Sequence, residues 1–174
     1  MTFRIQLLVQ GELPTVLRTP EMEVHRDGPL SQHDELVQVL GAQCRALAAT
    51  GGISFLVGGF GQDRWPVDVE TDLAVALEQL PGVLVGLRKE SEPFQLNFYE
   101  QGIERYLTGT RHGDAVTFEC MSMSLRWTAD PSVETVPLAE AETMFHELRE
   151  RYSAAIERVC PWLAHVPAFN EWRR

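Results

Sequence analysis

Apolar and polar positions alternate over the first residues, with Phe3, Ile5, Leu7 and Val9 set against Arg4, Gln6 and Gln10. That period of two predicts a half-buried first strand, ended by Gly11 and Pro14. A second strand is expected within Thr15–Arg26, where Met22 and Val24 alternate with Glu21, Glu23 and His25. The period then changes. Leu36, Val37, Leu40, Cys44 and Leu47 form one helical stripe over 32–49, opened by Ser31 as N-cap and stopped by Gly51-Gly52. Ile53–Val57 reads as a short apolar strand and Trp65–Glu70 as an alternating one. Thr71 opens a short helix near 72–80, which Pro81-Gly82 should close, and Val83–Leu87 reads as the next strand.

The densest alternation lies in Pro93–Cys120, which predicts three antiparallel strands. Phe94, Leu96 and Phe98 share one face of the first. Ile103, Arg105 and Leu107 share one face of the second, and Val116, Phe118 and Cys120 one face of the third. With tight turns the register puts Leu107 opposite Val116 and Ile103 opposite Cys120. Glu104 then falls opposite Glu119, with Asn97 across from Glu104. A glycine bulge at Gly102 would shift this register by one residue. Arg105 stands out on the apolar side, which implies that its guanidinium reaches an edge, that it meets a buried acid, or that the register differs. Met121–Trp127 continues or follows the last strand up to Asp130-Pro131. Pro137 then starts a long helix, 137–160, with a stripe of Ala141, Phe145, Leu148, Tyr152, Ala155 and Val159. A tail with Trp162, Phe169 and Trp172 remains, and Trp172 is its natural anchor.

These elements predict an α+β fold. The expected form is a mainly antiparallel sheet of about six to eight strands, with helices 32–49 and 137–160 packed on one face and the short helix near 72–80. The 174 residues, with 44% hydrophobic and 23% charged, suit one domain over 1–174 with its own core. The N-terminal pattern reads as a strand and not as a signal peptide, and no apolar run approaches the roughly 20 residues that span a bilayer. A cytoplasmic protein with no membrane role is therefore expected. Of the 15 basic residues only Lys89 is lysine, a bias that points to a GC-rich bacterial genome.

Charge changes the picture of partners. A formal net charge of −10, with no visible basic patch, speaks against nucleic acid and favours capture of a basic protein. Cys44, Cys120 and Cys160 are odd in number and sit in apolar surroundings, so buried thiols are expected. The five histidines show no metal-ligand spacing, and no calcium loop or paired-cysteine motif is present. Gly59-Phe60-Gly61 follows an apolar strand as a dinucleotide loop would. However, Arg64 replaces the third glycine and Trp65-Pro66 replaces the helix that would hold a pyrophosphate. Ser54 lacks the second glycine of a nucleophile elbow. No cofactor and no metal are expected.

The remaining chemistry lies in Pro93–Cys120. Glu104 and Glu119 abreast would repel, raising one carboxyl toward a useful acid–base range, with Tyr106 as a third group. Asn97, Tyr99, Glu100, Glu104 and Trp172 are candidate binding residues. Small size, acidity and the lack of catalytic motifs together resemble immunity or antitoxin-like inhibitors in general character. The leading expectation is thus a non-enzymatic protein-binding module that inhibits a basic partner. An enzyme built on Glu104 and Glu119 is the first alternative. A structural subunit, homodimeric through the long helix and the aromatic tail, is the second.

Overall fold

The computed structural model describes residues 2–17, 31–100, 102–123 and 127–174. Among these, the chain is α+β, with two antiparallel sheets and five helices. The expectation of one larger sheet is corrected by that division. β1 (Arg4–Val9) pairs with β2 (Ile53–Gly58) in a two-stranded ribbon. β3 (Pro93–Phe98), β4 (Arg105–His112), β5 (Ala115–Ser122) and β6 (Val133–Pro137) form a separate four-stranded meander.

The helices are α1 (Gln32–Ala49), α2 (Asp72–Gly86), α3 (Leu138–Val159), α4 (Pro161–Ala164) and α5 (Pro167–Trp172). The Ser31 side chain accepts from the Asp34 amide at 3.1 Å, the expected N-cap. The buried stripe of α1 is rotated from the expected one. Val39, Gln43 and Ala46 join Leu40, Cys44 and Leu47, while Val37 is exposed. α2 runs straight through Pro81, against the expected stop and the strand 83–87. Leu73, Leu77, Leu80, Val83 and Leu84 keep one apolar side buried across the proline, so tertiary burial offsets the lost backbone bond. Residues 65–70 form no strand, although the Trp65 amide donates to Val57 at 2.8 Å. The strand expected within Thr15–Arg26 lies outside the described residues except for 15–17. β6 was not anticipated, because Val133–Pro137 is short and bounded by prolines.

The face assignments in the meander hold, but the register does not. Phe94, Leu96, Phe98, Arg105, Leu107, Val116, Phe118 and Cys120 are all buried. Leu107 pairs with Cys120 and not with Val116, and Asn97 pairs with Tyr106 and not with Glu104. Both slips are even, and an even slip keeps each side chain on its face while changing its partner. The β4–β5 turn is the cause of the larger slip. His112 pairs with Ala115 around Gly113-Asp114, and Gly113 has φ of 60° while Asp114 has no positive φ, the type II′ pattern.

The core runs continuously from the ribbon to the meander. Phe3, Phe60, Trp65, Phe98 and Phe118 form a chain of ring contacts with centroids 4.8–6.5 Å apart. The Phe94 ring seats against Gly86 of α2 and Gly109 of β4, where any Cβ would fall within 3 Å of it. α2 also closes the outer edge of β3. The Gln79 carboxamide donates to Asn97 O and accepts from Asn97 N, both at 2.8 Å, in the way a neighbouring strand would. On α3, the whole predicted stripe from Ala141 to Val159 is buried within the chain. Tyr152 donates to Gln43 at 2.8 Å, and Gln43 donates to Leu163 O at 3.1 Å, a buried polar link between α1, α3 and α4. Replacing Tyr152 with phenylalanine leaves Gln43 Oε1 without its donor. The expected loss is about 1–2 kcal/mol in urea unfolding.

The glycine loop after β2 holds an internal carboxylate. Gly59, Phe60 and Gly61 all have positive φ, and the Phe60 amide donates to Glu134 at 2.6 Å. Glu134 is buried on the inner side of β6. Trp65 donates its indole N–H to Gly59 O at 3.2 Å, fixing the loop from its other side.

Candidate functional site

The meander buries one face, and among the described residues no element covers the other. Because opposite residues in a ladder share a face, the outer side carries three cross-strand rows. The first is Asn97, Tyr106 and Met121, and the second is Gln95, Thr108, Glu119 and Val133. The third is Pro93, Thr110, Thr117 and Thr135. Gln95 donates to Thr108 at 3.0 Å, and the Thr117 and Thr135 hydroxyls lie 3.5 Å apart, so the polar groups support one another along the rows. Apolar area stands among them. Tyr106 is 36% exposed, Val133 46%, and Met121 and Met123 62% each. An open cavity of about 530 Å³ lies over this face, lined by Gln95, Tyr106, Glu119, Met121, Met123 and Val133 among others.

The sequence candidates divide among four places. Asn97, Tyr106 and Glu119 share the bare face. Tyr99 and Glu100 turn toward α2, where the Tyr99 hydroxyl meets Glu78 at 3.4 Å. Burial, and then the Glu78 carboxylate, push that hydroxyl up from its ordinary pKa. Glu104 precedes β4 with φ of 45°, outside the ladder, and its carbonyl accepts from the Met123 amide at 2.9 Å. The expected Glu104–Glu119 pair is therefore corrected. Glu119 has Thr108 on one side and Val133 on the other. Trp172 is spent on the core: its indole donates to Leu77 O at 2.8 Å and its ring stacks on Phe169. It anchors the tail, as its place in the sequence suggested, and offers no exposed surface to a partner.

Met121, Met123 and Val133 complete the face and were not singled out from the sequence. Their signal was present as apolar residues at positions of outward parity, beside a strand that composition had hidden.

Beyond the end of β3, acids gather around the start of α2. Asp72 is buried. Its Oδ2 accepts from the Asp68 amide at 2.9 Å, and its Oδ1 has no hydrogen-bond partner. Burial raises its pKa to about 6, helped by the charges of Asp68 and Glu100. The sign follows from the unfolded chain, which ionises first as pH rises from about 4. Stability falls between about pH 4 and 6 and then levels off. Asp72→Asn keeps the acceptor for Asp68 and removes this penalty. Its melting temperature is expected about 2–4 °C above wild type at pH 7.5, with the advantage vanishing near pH 4. A constant advantage at both pH values would disprove the titration.

Arg105 meets neither an edge nor an acid. It is 3% exposed, and its guanidinium lies between Trp65 and Trp127, 4.3 and 3.6 Å from the two ring centroids. Gln62 accepts from Nη2 at 2.7 Å, while Nε and Nη1 have no hydrogen-bond partner. Burial lowers its pKa to about 10, so it stays a cation at neutral pH.

Other features carry less chemistry. Cys44, Cys120 and Cys160 are free and buried, which pushes their thiols up to about 12, 11 and 12 and away from reactivity. Among the described residues no three His, Cys, Asp or Glu side chains are grouped to hold a metal ion, and no helix is long and apolar enough to cross a membrane. A cavity of about 570 Å³ between β1 and α3 reaches the buried Ile5 and Leu7, and the Ile5 amide already meets Met144 Sδ at 3.2 Å. Comparison with protein-family models, curated proteins and solved structures finds no match.

Proposed function

We propose that the protein is a non-enzymatic binding module that holds a basic partner protein on the bare face of its meander, in the manner of an immunity or antitoxin-like inhibitor. The observation that carries this reading is the joint exposure of Tyr106, Met121, Met123 and Val133 beside Glu119 on the outer sheet face. Tyrosine and methionine are the residues that interface cores favour, and methionine adapts to an irregular partner surface. The net charge of −10 and the acids near α2 steer a basic protein toward it. The acid–base alternative has lost the carboxylate pair on which it stood. The α3 stripe and Trp172, on which the subunit alternative drew, are buried within the chain.

The test takes the basic products of the genes flanking this one and measures binding by calorimetry at two salt concentrations. Tyr106→Ala combined with Met121→Asp is expected to weaken the complex at least about 100-fold, as central interface residues do. Neutralising Glu100, Glu104 and Glu119 to glutamine is expected to flatten the salt dependence. Unchanged affinity in both variants sinks the reading, as does a partner surface without basic residues.

A further inference from the structure

The face has a border with unused backbone chemistry. β5 and β6 pair through their even-numbered residues, as the Cys120 amide to Ser132 O (2.8 Å) and the Leu138 amide to Asp114 O (2.8 Å) demonstrate on the same register. The odd-numbered residues of β6 therefore turn their amides and carbonyls outward, away from β5. Among the described residues no backbone bond reaches Val133 or Thr135 from that side. Both residues are exposed. Pro137, the next outward position, has no N–H to offer, and this is where a strand tolerates proline. The open border is thus two amides and their carbonyls long.

We infer that β6 is a docking edge, on which an extended segment of the basic partner adds as a fifth strand. This rests on the proposed binding role and names its recognition mode. Strand addition supplies affinity through the main chain and specificity through alternate side chains. The incoming strand would lay its outward side chains beside Val133 and Thr135. A lysine or arginine there lies one strand beyond Glu119, within reach of its carboxylate. The same geometry disfavours a second copy of this chain, since two molecules of charge −10 would have to meet. The proline at the end of the border is the usual device against open-ended pairing, and here it also restricts an added strand to one short register.

The test uses a capped hexapeptide alternating lysine and valine, and the same peptide N-methylated at alternate amides. Binding is followed by amide NMR and hydrogen exchange. The unmodified peptide is expected to slow exchange at Val133 and Thr135 at least tenfold. Thr135→Pro, which removes an outward amide and leaves the β5 ladder intact, is expected to weaken binding at least tenfold, while Met121→Asp changes it less than threefold. Circular dichroism of Thr135→Pro confirms that the fold is kept, and the N-methylated peptide reports on the edge in the wild-type protein. Equal binding of both peptides overturns the edge, as does no binding by either at millimolar concentration. Protection of these amides that rises with protein concentration, without peptide, identifies a second copy as the occupant and also overturns it. Loss in Met121→Asp with none in Thr135→Pro leaves the face reading standing alone. Loss of the basic partner in neither variant removes both.

Discussion

Gly61→Ala is expected to lower the stability of the fold by about 4–6 kcal/mol. A Cβ at this position would lie 2.0 Å from the Asp130 carbonyl oxygen, a backbone atom that cannot swing aside. Gly61 also has φ of 82°, a region that an alanine enters only at a cost. Relief requires moving the loop, which would pull the Phe60 amide from Glu134 and the Phe60 carbonyl from the Asp130 amide at 3.2 Å. Together these effects amount to about 4–6 kcal/mol, against a total stability of about 5–15 kcal/mol for an ordinary domain. Urea unfolding should register a midpoint lowered by about 2–3 M. A loss below about 1 kcal/mol would mean that the loop is not clamped as described.

Trp65→Ala should be nearly as damaging. This ring touches Phe3, Phe60, Phe98 and Trp127, forms one wall of the Arg105 slot, and bonds the glycine loop through its indole N–H. Removing a buried tryptophan of this kind costs about 3–5 kcal/mol. A double-mutant cycle with Arg105→Met separates the cation from the cavity. Two indole faces on one guanidinium imply a coupling of about 1–2 kcal/mol between Trp65 and Arg105. Coupling indistinguishable from zero would reduce Arg105 to a space-filling residue. The thermal midpoints of all four proteins, with matched denaturant series, give the answer.

Arg105 marks where reading from sequence succeeds and where it stops. Alternation placed it on the apolar side, which is correct. The groups that surround it could not be foreseen, because Trp65, Trp127 and Gln62 come from loops outside the meander strands. The Glu104–Glu119 pair failed for a different reason. Parity is a local property and survived both even slips, but the identity of a cross-strand partner depends on turn geometry. A type II′ turn at Gly113-Asp114 moves every β5 partner by four residues. Pro81 misled because a proline is a strong local stop, and only the buried side of α2 overrules it. β6 was invisible for a related reason. Five residues, the last of them a proline, carry too little alternation to stand out, yet they supply one wall of the outer face and its border.

The two borders of the meander differ in kind. At β3, the Gln79 carboxamide occupies the Asn97 amide and carbonyl, and Pro93 has no amide to give. At β6, the Val133 and Thr135 amides have no backbone partner among the described residues. The proposed added strand therefore has a side, at β6 and not at the β3 border against which α2 packs.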